Sequence, residues 1–240
     1  MLSKNEIKDI QSLVHKKFRD AAQLFVAEGP KIVAELAELV PQSVVKIYAL
    51  QDWTDENSSL PNLQVVTEGE LKKISQLQTP NNVLALVKQF NWPQPNILNS
   101  FCLYLDAVQD PGNLGTIIRI GDWFGVGQIV CGAGCADVYN SKVVQSSMAS
   151  IARVPVYYDE EGTWLHNRPE KIYAATLNGK SLYEYQKENK GILIIGNESK
   201  GISPALLQLA TEKITIPRKG GAESLNAAVA TGIILSHLVS

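Results

Sequence analysis

The sequence predicts an α/β protein in two parts, and three observations carry that prediction. From residue 101 onward, short apolar, β-branched runs alternate with helical stretches of roughly 10–15 residues, the pattern of a mainly parallel sheet covered on both faces. The first ninety or so residues hold strand and helix candidates of their own, enough for a smaller α/β unit. Between the two lies NWPQPNILNS, rich in proline and asparagine and without periodicity, which reads as a linker. The expected division is a domain over 1–92, a linker over 93–100 and a second domain over 101–240.

Taken in order, residues 4–20 place Ile7, Ile10, Leu13, Val14 and Phe18 at near-helical spacing among lysines. LFVAEG reads as a strand, and PKIVAELAEL as a helix with Pro30 at its first position. Val44–Leu50, Leu63–Val66 and Val83–Val87 are further strand candidates. In the second part FCLYLDAV is a strand, and a helical stretch runs from Asn113 through Phe124. GQIVCG is a strand, SKVVQSSMASI a helix and VPVYY a strand. A short polar helix is expected next. KIYAATL, GILIIGN and KITIP are strands, SPALLQLA is helical between the last two, and SLNAAVATGIILSHL closes the chain as a helix.

Composition removes several function classes. With 240 residues, 45% apolar and 19% charged, the chain is neither disordered nor of low complexity. A net charge of −2, with Lys and Arg trailing Asp and Glu in both halves, gives no global field toward nucleic acid or membrane. Cys102, Cys131 and Cys135 are an odd, sparse set that argues against a disulfide scaffold and for a reducing compartment. His15, His166 and His237 cannot complete a four-ligand zinc pattern with them, so no metal is expected. The longest apolar runs, such as Ile192–Ile195, fall far short of the ~20 residues of a membrane span. MLSKNEIKDI lacks the apolar stretch of a signal peptide. A soluble cytoplasmic protein without membrane contact is the expectation.

Ligands of open parallel sheets bind beyond the carboxyl ends of the strands. Three polar clusters fall at such positions: QDPGNLGTIIR after FCLYLDAV, GNESKGIS after ILII, and PRKGGAESLN after KITI. They are expected to converge on one pocket. No GxGxxG opens a helix and no GxxxxGK[ST] occurs, so a dinucleotide fold and a P-loop are both unsupported.

The stretch from about Phe101 to the end resembles the SpoU (TrmH-like) class of SPOUT RNA methyltransferases. Asn113, Gly115, Arg119 and Phe124-Gly125-Val126 fit that family's first motif, ILIIGNESKGIS its second and IPRKGGAESLNAAVA its third. SSMASIARVPV looks like the usual connection between the first two. KKFRDAAQLFVAEGPKIVAE is similar to the substrate-binding domain that many members carry in front, an α/β fold shared with some ribosomal proteins. The resemblance implies methyl transfer from S-adenosylmethionine to a ribose 2′-OH of tRNA or rRNA. It further implies a knotted (trefoil) catalytic domain, a small RNA-binding domain ahead of it and a homodimer. By the same analogy Arg119 is catalytic, assisted by Asn113, Glu198, Ser224 and Asn226. The cofactor falls to Thr176, Leu177, Gly196, Asn197, Ile216 and Leu225, and RNA to Lys16, Lys17, Arg19 and Arg153.

Residue chemistry leaves alternatives beside each assignment. A guanidinium is effectively always protonated, so Arg119 is either an extreme base or a holder of phosphate and developing alkoxide. Asn113 and Ser224 are equally natural helix N-caps, and Asn226 falls where capping and substrate contact compete. Lys16-Lys17-Arg19 is also what a solvated helix face looks like. Trp123, where many relatives carry a small or acidic residue, either packs inward or shapes an entrance for RNA. A catalytically silent RNA-binding or assembly protein of the same fold is the competing reading, and a small-molecule nucleotide enzyme is a weaker one.

Overall fold

A computed structural model describes residues 1–92, 95 and 100–239, and within it the chain divides into two units. One comprises residues 1–91 with 139–152, the other 92–138 with 153–240. Of the expected linker over 93–100, all but Pro95 and Ser100 lies outside the described residues.

In the first unit the single helix expected over 4–20 is two: α1 (Lys4–Ser12) and α2 (Lys16–Ala22). The break has a cause. Arg19 is 3% exposed, and its Nη1 donates to the carbonyls of Leu13 (2.8 Å) and Val14 (2.7 Å), which leave α1 without helical partners. Then come β1 (Leu24–Glu28), α3 (Pro30–Leu39) and β2 (Val44–Ala49). They are followed by α4 (Gln51–Glu56), β3 (Leu63–Val65), α5 (Glu68–Ile74) and β4 (Val83–Lys88). The strands order as β1-β4-β2-β3, with β4 antiparallel to both neighbours and β2 parallel to β3. Ile10, Leu13, Val26, Tyr48, Ile74 and Leu84 form the core of this unit. Neither α4 nor α5 is foreseen by apolar periodicity. α5 does carry a full capping box, Thr67 and Glu70 bonding each other's backbone N–H. α7 (Ser141–Ser147) also belongs to this unit, with Gln145 donating to the Glu28 carbonyl at 2.9 Å.

The second unit holds β5 (Phe101–Leu105), α6 (Pro111–Trp123), β6 (Gln128–Gly132), β7 (Val156–Asp159) and β8 (Ile172–Ser181). It continues with β9 (Gly191–Ile195), α8 (Pro204–Leu209), β10 (Glu212–Thr215) and α9 (Ala227–Leu238). All neighbours in the order β10-β8-β9-β5-β6-β7 are parallel, as the alternation predicts. Every residue of β5, β6 and β9 is buried, so the sheet is covered on both faces. The polar helix expected after β7 is absent among the described residues. Instead the Asp159 carboxylate gathers Thr163 N–H (3.1 Å), Trp164 N–H (3.0 Å) and the Tyr104 hydroxyl (3.0 Å), which closes the segment as turns.

β5 is flanked by β6, next in sequence, and by β9, far from it. The strand order therefore reverses direction between β5 and β9, and the carboxyl ends at such a switch point are where ligands of open α/β sheets bind. The loops after β5, β9 and β10 leave from that edge.

Candidate active site

α6 begins with Asp110, whose Oδ1 accepts Asn113 N–H at 2.7 Å, and Pro111 occupies the first turn. Asn113 is therefore not the N-cap. Its side chain, freed from capping, donates from Nδ2 to Glu198 Oε1 at 2.6 Å. Its Oδ1 accepts from Asn226 Nδ2 at 2.8 Å. Asn226, not Ser224, caps α9, its Oδ1 taking the N–H groups of Ala228 (2.9 Å) and Val229 (3.2 Å). One directional chain of hydrogen bonds, Asn226 to Asn113 to Glu198, thus links the three loops that sequence placed at strand ends. Helix capping fixes its polarity. With Asn226 Oδ1 committed to two backbone donors, only its amide nitrogen can face Asn113.

The loop after β9 is held closed by a bridge between Asn197 and Gly201, with N–H···O distances of 3.1 and 2.9 Å. A side chain at Gly196 would run into the backbone of Gly201 and Ile202, so glycine is required there. The Asn197 side chain is fully engaged. Its Nδ2 donates to Ala107 O (2.8 Å) and its Oδ1 accepts Ser199 N–H (2.9 Å) and Lys200 N–H (3.1 Å). Ala107 sits at φ +53°, an unusual conformation for alanine that this grip maintains. Asp106 beside it accepts Ser203 N–H at 2.6 Å. Sequence reasoning missed Asp106 and Asp110. An aspartate one residue ahead of Pro111 is a helix-start signal and could have revealed Asp110; no local signal marks Asp106.

Between β8 and β10 the register jumps, from Lys213 opposite Ala174 to Ile214 opposite Lys180. β8 thereby throws out residues 175–179, which carry Thr176 and Leu177. Thr215 Oγ1 ties this excursion down by donating to Leu177 O at 3.2 Å. Thr176 Oγ1 is buried and, among the described residues, has no hydrogen-bond partner, an arrangement that ordinarily calls for a ligand or water. Leu177 is 70% and Leu225 47% exposed, large apolar side chains left bare, while Ile216 is half-buried.

Arg119 projects from α6 into solvent, and among the described residues no carboxylate pairs with it. Ser224 is exposed ahead of α9. The expected RNA-facing residues fare unevenly. Lys16 is exposed and pairs with Asp20 at 2.8 Å, and Lys17 lies over the Phe18 ring. Arg153 bonds Asp122 at 2.8 Å. Arg19 is the clear correction: buried and spent on the carbonyls of Leu13 and Val14, it has no surface to offer RNA. Trp123 is 85% exposed rather than packed inward. Among the described residues no cluster of His, Cys, Asp or Glu could hold a metal, and no helix is long and apolar enough to cross a membrane.

A parallel sheet whose switch-point loops are joined by the Asn226–Asn113–Glu198 chain places the molecule among the α/β proteins that work at the carboxyl edge. Residues 100–236 match the SpoU rRNA Methylase family, and residues 4–85 match the MRM3-like substrate binding domain. The chain belongs to the SpoU rRNA methylase family. A Bacillus subtilis protein named 23S rRNA (guanosine(2553)-2′-O)-methyltransferase RlmP is 34% identical, over 98% of this chain and 97% of its own. A solved Porphyromonas gingivalis structure assigned to the TrmH family of RNA methyltransferases superposes with a TM-score of 0.86 at 37% identity, covering 98% of this chain and 97% of that one. The AdoMet-bound rRNA methyltransferase of Sinorhizobium meliloti gives 0.84 at 29% identity, over 98% and 94%.

Proposed function

We propose that this chain transfers a methyl group from S-adenosylmethionine to a ribose 2′-OH of ribosomal RNA. The observation that carries the reading is the Asn226–Asn113–Glu198 chain, which ties three strand-end loops into one polar wall at the switch point. The residues present suit the cofactor. Thr176 offers a hydroxyl with no partner among the described residues, Leu177 and Leu225 offer apolar surface to an adenine, and Gly196, Asn197 and Ile216 bring main chain close. When bound, the cofactor supplies an electrophilic methyl on a sulfonium.

This chain's own residues then need only align the hydroxyl and manage charge. Arg119, exposed and without an acidic partner among the described residues, holds a phosphate of the target nucleotide and stabilises the alkoxide as it develops. Glu198, held by Asn113, orients the polar wall, and Ser224 and Asn226 bring the α9 end of that wall to the ribose. An rRNA substrate is favoured over tRNA because a relative aligned along nearly the whole chain is named for 23S rRNA.

The finer architecture belongs to the same proposal. Residues 1–92 form the RNA-binding domain and 101–240 the catalytic one, although 139–152 of the latter clusters with the N-terminal unit, with Lys16, Lys17 and Arg153 as remaining contacts for RNA. The β8 excursion, wrapped by β10, is the support for a trefoil knot around the cofactor. The bare Trp123 and Val229 on α6 and α9 support a homodimer. The cytoplasm, where rRNA is modified, is the expected location. Methyl transfer from labelled S-adenosylmethionine to rRNA tests the reading. Cofactor binding without transfer to any RNA would favour a silent RNA-binding protein instead.

A further inference from the structure

Two thiols stand outside this machinery yet touch the segment that supports it. Cys131 is the fourth residue of β6 and fully buried. The chain then reverses through a tight turn, with Cys135 N–H donating to Gly132 O at 3.3 Å and Gly134 at φ +82°. That reversal brings Cys135, which is only partly buried, back toward Cys131. Cys135 Sγ donates to Leu105 O at 3.3 Å, and Leu105 is the residue opposite Cys131 in the β5–β6 pairing, so the two thiols flank one backbone position.

The two sulfurs are electronically unequal. The neighbouring Cys131 thiol and the backbone at Val108 and Ala107 hold the Cys135 thiol below its ordinary range despite burial. Its neighbour Cys135 and its own burial push Cys131 up. Cys102, the third cysteine, is buried and also pushed up, by desolvation. A more acidic, accessible thiol beside a protected one is the arrangement of a peroxide-reactive cysteine and its resolving partner.

We propose that Cys131 and Cys135 form a peroxide-sensitive dithiol, closing to an intramolecular disulfide that reports on the loop after β5. The Cys135 thiolate attacks one oxygen of hydrogen peroxide, the O–O bond breaks, and hydroxide leaves to become water with the proton the thiol gave up. Cys135 is then a sulfenic acid. The Cys131 sulfur displaces its hydroxyl, the S–S bond forms, and a second water leaves with the Cys131 proton. In total two thiols lose two electrons and two protons, and one peroxide becomes two waters.

Closing the bond draws Cys135 Sγ away from Leu105 O. The affected segment, residues 105–108, carries the Ala107 carbonyl gripped by Asn197 and the Asp106 carboxylate that holds Ser203. Ala136 N–H also binds Val108 O at 2.9 Å, so the cysteine loop and this segment move together. Oxidation therefore loosens the support beneath Asn197 and lowers methyl transfer. That last effect alone rests on the methyltransferase reading.

The test uses the full chain, stoichiometric hydrogen peroxide and mass spectrometry. Trypsin releases residues 120–142 as one peptide holding Cys131 and Cys135 but not Cys102. The expected product is that peptide lighter by two hydrogens and resistant to alkylation, restored by a thiol reductant. In Cys131→Ala, Cys135 should instead stop at a sulfenic acid trapped by a cyclic 1,3-diketone, and in Cys135→Ser, Cys131 should stay reduced. A wild-type peptide that keeps both thiols, or that accumulates oxidised Cys135 beside alkylatable Cys131, overturns the proposal. Hydrogen exchange at residues 106–108 should quicken in the disulfide form, and unchanged exchange refutes the coupling. Transfer should fall at least threefold on oxidation and recover with reductant, while Cys135→Ser is insensitive. A chain that forms the disulfide but methylates nothing in either state condemns the methyltransferase reading and not the dithiol.

Discussion

Replacing Asn226 by aspartate and by alanine separates its two tasks. Its Oδ1 caps α9 through two backbone N–H groups, and its Nδ2 feeds Asn113. Alanine removes both. Loss of the cap costs about 1 kcal/mol, which for a chain of this size lowers Tm by roughly 2–4 °C. Aspartate caps as well as asparagine and meets the helix dipole favourably, so Tm should hold or rise slightly. The carboxylate has no proton for Asn113, however. If Asn113 stays, two acceptors face each other; if it turns, its Oδ1 faces Glu198 instead. One acceptor–acceptor contact survives either way, at a cost of about 1–3 kcal/mol, toward the low end because the Asn226–Asn113 bond is exposed. About 1.4 kcal/mol is tenfold in rate. Asn226→Asp should therefore melt like wild type and transfer methyl groups to rRNA about ten times more slowly, while Asn226→Ala loses both. Thermal melts and single-turnover transfer measure the two effects. Wild-type transfer by Asn226→Asp, or equal destabilisation of both variants, would refute the reasoning.

Other outcomes follow from the same contacts. Arg119→Ala should leave denaturant stability within about 0.5 kcal/mol, because the side chain is exposed, and should abolish transfer while cofactor binding, read by calorimetry, persists. Arg19→Ala should destabilise by about 2–3 kcal/mol in urea, since a buried carbonyl and a part-buried one lose a charged donor. Glu70 accepts the N–H groups of Thr67 and Leu2, which holds its carboxyl down at about 2 against 4.5 in the unfolded chain. Its contribution is complete above pH 4.5 and lost as pH falls toward 2, so Tm of the wild type should drop more steeply than that of Glu70→Gln across that window. Gly196→Ala places a methyl group against the Gly201 and Ile202 backbone and should open the loop after β9, seen as weakened cofactor binding.

The sheet was legible because its strands are buried on both faces and therefore read as unbroken apolar runs, as in FCLYL, QIVCG and GILII. The convergence of three loops was legible for the same topological reason. What the chain does inside those loops was not. Asn113 looked like a cap because polar residues before a helix usually are, yet Asp110-Pro111 had already taken that role. Arg19 looked like surface charge because sequence spacing does not show two carbonyls stranded by a helix break. α4 and α5 are short and lack an apolar stripe, so only the Thr67–Glu70 pair could have betrayed one of them. Asp106 and Ala107 gained their importance from partners some ninety residues away, which no local pattern encodes.

The measurement that bears most directly on the whole account is transfer from labelled S-adenosylmethionine to rRNA, followed by alkaline hydrolysis. A 2′-O-methyl group blocks cleavage at its own nucleotide. Label should therefore appear in alkali-resistant dinucleotides, and disappear with Arg119→Ala. Label released in single nucleotides, or label unaffected by Arg119→Ala, would contradict a ribose methyltransferase organised around that arginine.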